Sequence, residues 1–378
     1  MVRVAAERAD IGDGFDEETS AAITRDKWLK AQRDLVTTTL DYNLSTISRL
    51  VSDNSIDLDP SFQRRHRWDR RRQSQLIESF MMNVPLPPIF LNEDDFGSYS
   101  IIDGKQRLTA VSEFMRDGFA LTGLDVFSEA EGRKFSELDR DLRSVLETRA
   151  SLRAIIILRM SDPDIKYQVF QRLNTGGVRL NAQELRNVAY AGPLNDLLHT
   201  LAEYEPFREL LRLSDVETRQ RSALWRQMRD VELVLRFFTL SRSWSRFSGS
   251  LVREMNDFMG SHKDSSGREL LALQRSFTET VDKVRTVFGI DAFRRPNARS
   301  GRPGAAVVAS LFDAQMLGVQ PFDADRVGRA KAELQQGMRA LFADTDFTGV
   351  IGAATNTPSS VRERVQRVRN MVEAELGN

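Results

Sequence analysis

The chain has no cysteine, which excludes disulfides, a thiol nucleophile and any thiolate metal site. Histidine is almost as scarce. His66, His199 and His262 are the whole supply, each isolated, so no pair has metal-ligand spacing. None adjoins an acidic or Asn partner in a nuclease-like pattern, and nothing suggests a Ser–His–Asp triad. No apolar run approaches the roughly 18 residues of a membrane span. The opening MVRVAAERADIGDGFDEE lacks the apolar centre of a secretory signal, so a cytoplasmic protein is expected. There is no Walker-type phosphate loop and no GxGxxG after a strand. Net charge is missing too: 54 Lys and Arg stand against 54 Asp and Glu, which argues against coating nucleic acid by bulk charge.

What is present is ordinary for a soluble globular protein. The 378 residues are 41% apolar and 29% charged, enough chain for one large domain or two average ones. The basic residues are mostly Arg and cluster in FQRRHRWDRRR (62–72) and FRRPNARSGRPG (293–304). Such runs are usually solvated faces. Arg is also the side chain best suited to forked contacts with phosphate, so Arg294, Arg295, Arg299 and Arg302 are candidate contacts to a DNA backbone.

Residues 1–25 are polar and acidic with little periodicity and read as a flexible tail. The spacing of Leu40, Leu44, Ile47 and Leu50 predicts a short helix over 37–51. Ile56 and Leu58 form a brief strand stopped by Pro60. A helix over 70–82 carries Leu76, Ile77 and Phe80 on one face. VPLPPIFL (84–91) leads through prolines into a strand, a turn follows at 94–97, and Tyr99 to Ile102 form the next strand. FSELDRDLRSVLE (135–147) reads as helical, and LRAIIIL (152–158) as a strand. Asp162-Pro163 is an N-cap with Pro at the first helical position, opening a helix through Leu173. RLNTGGVRLN (172–181) is a polar loop, and Asn181 with Glu184 makes a capping-box start. Beyond about 193 strand signals vanish: a continuous helical stripe covers 223–241, and further helices are expected near 249–259, 266–288, 305–317, 324–342 and 358–376. The fold class expected is α+β in the N-terminal half joined to an all-helical C-terminal half. The division runs 1–25, 26–192 and 193–378.

YSIIDGKQRLTAVSEFM (99–115) is the stretch the rest turns on. A strand passing through Asp103-Gly104 into a helix leaves backbone N–H groups at the helix start, where the dipole favours anions. Lys105, Gln106 and Arg107 add two charges and an amide. The plain reading is a corner with its charges in solvent; the functional one is a phosphate site. Phe62-Gln63-Arg64 follows the first strand. Arg172, Asn174 and Thr175, with Gly176 and Gly177, form a helix end whose N–H groups suit oxyanions or close a Schellman-type cap. Asp103 is the carboxylate placed to hold a hydrated Mg²⁺ against phosphates. Arg64 and Arg107 are placed to clamp charge on a transferred phosphoryl group. Trp68 and Pro85–Pro88 read as packing and turn residues.

Taken in order, FQRRHRWD (62–69), LIESFMMNVPLPPIFL (76–91), YSIIDGKQRLTAVSEF (99–114) and FQRLNTGGVRLNAQELRN (170–187) closely resemble the N-terminal domain family of the GmrSD restriction endonucleases, related to the ParB/sulfiredoxin-like nucleotide-binding fold. The resemblance spans roughly 35–190, and MRDVELVLRFF (228–238) resembles the helical region that follows in many members. It implies a small mixed sheet with helices binding an NTP and Mg²⁺. The family's DGQQR-type motif falls on Asp103, Gly104, Lys105, Gln106 and Arg107, with Lys105 in place of the commoner Gln. It implies catalytic roles for Asp103, Gln106 and Arg107, with Asp103 also at the metal. Gln63, Arg64, Gly104, Lys105, Arg172, Asn174, Thr175 and Gly176 would bind nucleotide. It further implies an NTP-hydrolysing member of a prokaryotic DNA-targeting, anti-phage or restriction-type defence system, partnered by DNA or a separately encoded nuclease. The His-Asn-His nuclease half typical of the family is not expected here, because His262 in SHKDSS has no fitting partner. Two alternatives stand beside this: a non-catalytic DNA- or partner-binding module using the same basic corner, and a Mg-dependent endonuclease cutting with its own carboxylates.

Overall fold

The structure of the protein, a computed structural model, describes residues 34–58, 68–173, 181–297, 300–352 and 354–377. The expected tail at 1–25 and the candidate residues Gln63, Arg64, Asn174, Thr175, Gly176 and Arg299 lie outside the described residues. The chain forms two compact units, Met1–Leu58 with Arg67–Leu173, and Asp59–His66 with Asn174–Asn378.

The first unit is built on a five-stranded mixed sheet in the order β1-β5-β3-β4-β2. The strands are β1 (Thr37–Asn43), β2 (Ile56–Asp57), β3 (Ile89–Asp95), β4 (Ser98–Asp103) and β5 (Ser151–Ile157). β3 and β4 form an antiparallel hairpin, β5 runs parallel to β3 and antiparallel to β1, and β2 runs parallel to β4. The helices are α1 (Leu44–Ser52), α2 (Arg70–Met81), α3 (Lys105–Met115), α4 (Arg140–Ser144) and α5 (Pro163–Leu173). Alternation sends Ile89 and Leu91 of β3 and Leu152, Ala154 and Ile156 of β5 to one sheet face. There they are buried with Leu44 and Ile47 of α1, Ile77 of α2 and Leu108, Val111 and Phe114 of α3. The α+β expectation and the mixed sheet are therefore observed.

The helix expected over 37–51 is half strand. β-Branched Thr37 to Thr39 favour a pleated surface, and the segment pairs with β5 from Thr37↔Ile157 to Asn43↔Ser151. Asn43 then caps α1, its Oδ1 accepting from Thr46 N at 2.8 Å. Leu40, counted into the helical stripe, is 42% exposed. The helix expected over 135–147 is broken into a 3₁₀ turn at Phe135–Glu137, α4, and a π-helical turn at Val145–Arg149.

The second unit is helical. Its helices are α6 (Ala182–Ala189), α7 (Pro193–Ala202), α8 (Glu205–Leu211), α9 (Val216–Arg221), α10 (Ala223–Arg226), α11 (Arg229–Ser243), α12 (Leu251–His262) and α13 (Gly267–Phe288). They continue with α14 (Ala309–Val319), α15 (Ala324–Arg329), α16 (Lys331–Ala343), α17 (Thr345–Gly352) and α18 (Pro358–Gly377). α14 is buried on all sides from Ser310 to Val319 and packs against α11, α13, α17 and α18. The stripe over 223–241 is not one helix. Met228 adopts φ 52°, a left-handed conformation that interrupts the helical path between α10 and α11. No helix among the described residues is long and apolar enough to cross a membrane.

Candidate functional site

β4 passes through Gly104 directly into α3. Gly104 is the N-cap of α3 with φ 103° and ψ 9°, and no side chain caps the first turn. The left-handed conformation suits Gly. Space demands it as well: a Cβ at this position would lie 2.9 Å from the Cβ of Ile89, the first residue of β3. The helix start is thus pressed against the neighbouring strand, with no room for an ordinary capping residue. A helix N-terminus left this way favours an anion.

Two side chains of the motif tie the corner together. Arg107 lies one turn into α3, and its Nη2 donates to Asp103 Oδ2 at 2.9 Å. Its Nη1 donates to the carbonyls of Pro87 and, at 3.2 Å, Pro88. The Arg107 side chain is 13% exposed and that of Asp103 29%. Burial pushes the Arg107 guanidinium below its ordinary value, and the Asp103 carboxylate pulls it back; an Arg stays charged regardless. Gln106 Oε1 accepts from Trp68 N at 2.9 Å, which anchors the chain just before α2. Lys105, the first residue of α3, is half-buried. Because β2 runs parallel to β4, pairing Asp57 with Ser100, Leu58 follows β2 toward the same end of the sheet as Asp103.

The structure therefore brings Asp103, Gly104, Lys105, Gln106 and Arg107 into one corner, with Trp68, Pro87, Pro88 and Ile89 as its walls. Arg172 is exposed in the last turn of α5. Trp68 and the prolines were expected to be packing and turn residues, and their backbone groups turn out to hold the motif. Hairpin register carried the signal: Phe90 pairs with Asp103, so the residues just before Phe90 must run beside the start of α3.

In the second unit, Arg294 does not face solvent as a DNA contact requires. It is 3% exposed, and its Nη1 donates to the carbonyls of Leu210 (2.7 Å), Ile290 (3.0 Å) and Ala292 (2.9 Å). Burial pushes its pKa down to about 10. A basic run cannot reveal which of its members turns inward. Arg295 and Arg302 are exposed.

The described residues of this corner suit a magnesium ion held through a single carboxylate. Among the described residues no group of three or more His, Asp or Glu is arranged to hold a metal. Asp103 brings a single carboxylate, one oxygen of which Arg107 engages. That suits an ion carried in on phosphates, which needs one or two carboxylates and keeps several waters, and not a cage built by protein alone.

Residues 47–191 match the family described as GmrSD restriction endonuclease, N-terminal domain. The match takes in the whole corner and ends just after α6. Searches of curated proteins and of solved structures found no match.

Proposed function

We propose that the domain at 47–191 is the nucleotide-binding part of a restriction-type DNA defence protein, and that it binds, and with Mg²⁺ hydrolyses, a nucleoside triphosphate at the Gly104 corner. The observation that carries this reading is the helix start itself. A left-handed Gly104 without a capping side chain opens α3 against β3, inside a domain whose family model is that of a restriction endonuclease. In this reading the first-turn amides of α3 and the Lys105 ammonium meet the phosphates. Asp103 would hold the nucleotide's Mg²⁺, which would supply charge neutralisation to the phosphates. Gln106, fixed through Trp68 N, orders the surroundings of the reacting group. DNA and a separate nuclease are the partners this reading calls for.

The test is thermal shift with ATP, GTP, CTP and UTP, each with and without Mg²⁺, followed by phosphate release. A ligand present at about a hundredfold over its Kd adds about 2.7 kcal/mol to apparent stability, so one nucleotide should raise Tm by several degrees with Mg²⁺. Lys105→Ala should remove most of that rise. No shift with any of the four would overturn the assignment. A second reading, binding without turnover, is favoured by the engagement of Arg107 with Asp103 and two prolyl carbonyls. It predicts the same shift with no phosphate released.

A further inference from the structure

Arg107 is the motif residue that chemical habit would place on the transferred phosphate. The geometry points to a different role: we infer that Arg107 is a positioning residue, which acts on bound nucleotide through Asp103 and through the Pro87–Pro88 strap. This rests on the nucleotide reading above and concerns which side chain of the motif touches phosphate.

Three observations carry it. The guanidinium already serves three acceptors, two prolyl carbonyls and one carboxylate oxygen, and it is 13% exposed. A phosphate reaching it would have to displace partners in a partly desolvated place, leaving carbonyls and a carboxylate unpaired. Second, the bond to Asp103 is charge-assisted and spans i to i+4 across Gly104, so it fixes the last residue of β4 relative to the first turn of α3. The guanidinium runs close to the glycine, with Nη2 3.4 Å from where a Cβ would stand. Third, Asp103 and Arg107 cancel in charge at close range. Lys105, at the first helical position, is the remaining basic residue of the five-residue motif. The division of labour is that Arg107 builds the frame and aims Asp103, while Lys105 supplies the charge that distinguishes three phosphates from two.

Calorimetric binding of the preferred NTP and its matching NDP, each across a Mg²⁺ titration, separates the roles in wild type, Arg107→Ala, Arg107→Lys and Lys105→Ala. If Arg107 positions, Arg107→Ala weakens NTP and NDP by a common factor, about tenfold for one lost charge-assisted bond. The NTP-to-NDP ratio stays near that of wild type, and the Mg²⁺ needed for half-maximal binding rises severalfold because Asp103 has lost its anchor. Arg107→Lys recovers part of both effects, and Lys105→Ala collapses the ratio. If Arg107→Ala instead loses NTP selectively with an unchanged Mg²⁺ requirement, Arg107 touches the terminal phosphate and the inference is overturned alone. Absence of NTP binding by the wild type overturns the inference together with the nucleotide reading. Should Arg107→Ala not fold, the ratio and Mg²⁺ titration of Arg107→Lys decide: a common loss supports positioning, a loss confined to NTP overturns it.

Discussion

Gly104 shows how much one residue decides. Its φ of 103° and its closeness to Ile89 leave Ala strained in backbone and crowded in side chain. Gly104→Ala should cost about 2 kcal/mol or more in urea unfolding and should abolish the nucleotide-induced rise in Tm. A second residue matters for pH. Burial pushes Asp230 up to about 7, with Glu203 adding to the rise and Arg219 and the N–H of Val231 opposing it. Its folded pKa thus lies above the unfolded value of about 3.9, so its contribution is complete below that value and is lost as pH climbs through about 7. Asp230→Asn can keep the bond from Val231 N, which is 3.0 Å in the native protein, and has no charge to bury. The variant should match wild type near pH 4 and exceed it at pH 8 by an amount on the order of 2–4 kcal/mol. Parallel stability curves from pH 4 to 8 would refute the assignment.

At the level of elements, α6 illustrates a helix whose start could be read directly. Asn181 Oδ1 accepts from Gln183 N (2.9 Å) and Glu184 N (3.0 Å), and Glu184 Oε2 accepts from Asn181 N at 2.6 Å, the reciprocal pair its spacing predicted. The tertiary surplus is Asn181 Nδ2 donating to Gln227 O at 2.9 Å, a tie across 46 residues. Asn181→Ala should cost about 2–3 kcal/mol by urea unfolding, the cap plus that tie. Asn181→Asp, which keeps the cap but sets a carboxylate against the carbonyl, should fall between. The same legibility held for α2, α3, α5 and the β3–β4 hairpin, where apolar spacing and terminal signals agree. It failed at β1, because Leu40 to Leu50 fit a helical period while the Thr-rich start answers to β5, more than 100 residues away. It failed again at Met228, since nothing local announces a left-handed residue inside an apolar stripe.

Across the second unit, charges that are distant in sequence form an alternating ladder. Arg186 Nη1 meets Glu232 Oε2 at 3.1 Å. Arg236 Nη2 meets Asp313 Oδ2 at 2.6 Å, and Arg364 donates to that same oxygen. Asp313 is 1% exposed and Arg364 not at all, so α11, α14 and α18 share one buried carboxylate between two guanidiniums. Removing the shared partner should be the severe change: Asp313→Asn takes from Arg236 and Arg364 the one carboxylate they both bond and should cost about 3–5 kcal/mol. Arg364→Met leaves Asp313 with Arg236 and should cost clearly less. The two midpoints in urea, at equal m-values, check the order, and an inverted order would refute it.

Most of the elements and the strand–turn–helix corner at DGKQR were legible from residue order, because periodicity, caps and turn residues act over a few positions of chain. Tertiary structure alone decided that Arg107 is spent on Asp103 and the prolyl carbonyls, that Arg294 turns inward, and that residues 37–43 are a strand. In each case at least one partner is remote in sequence, the Pro87–Pro88 carbonyls for Arg107, Leu210 O for Arg294 and β5 for residues 37–43, and what a charged or apolar side chain does depends on which acceptors and neighbours the fold leaves within about 3–4 Å of it.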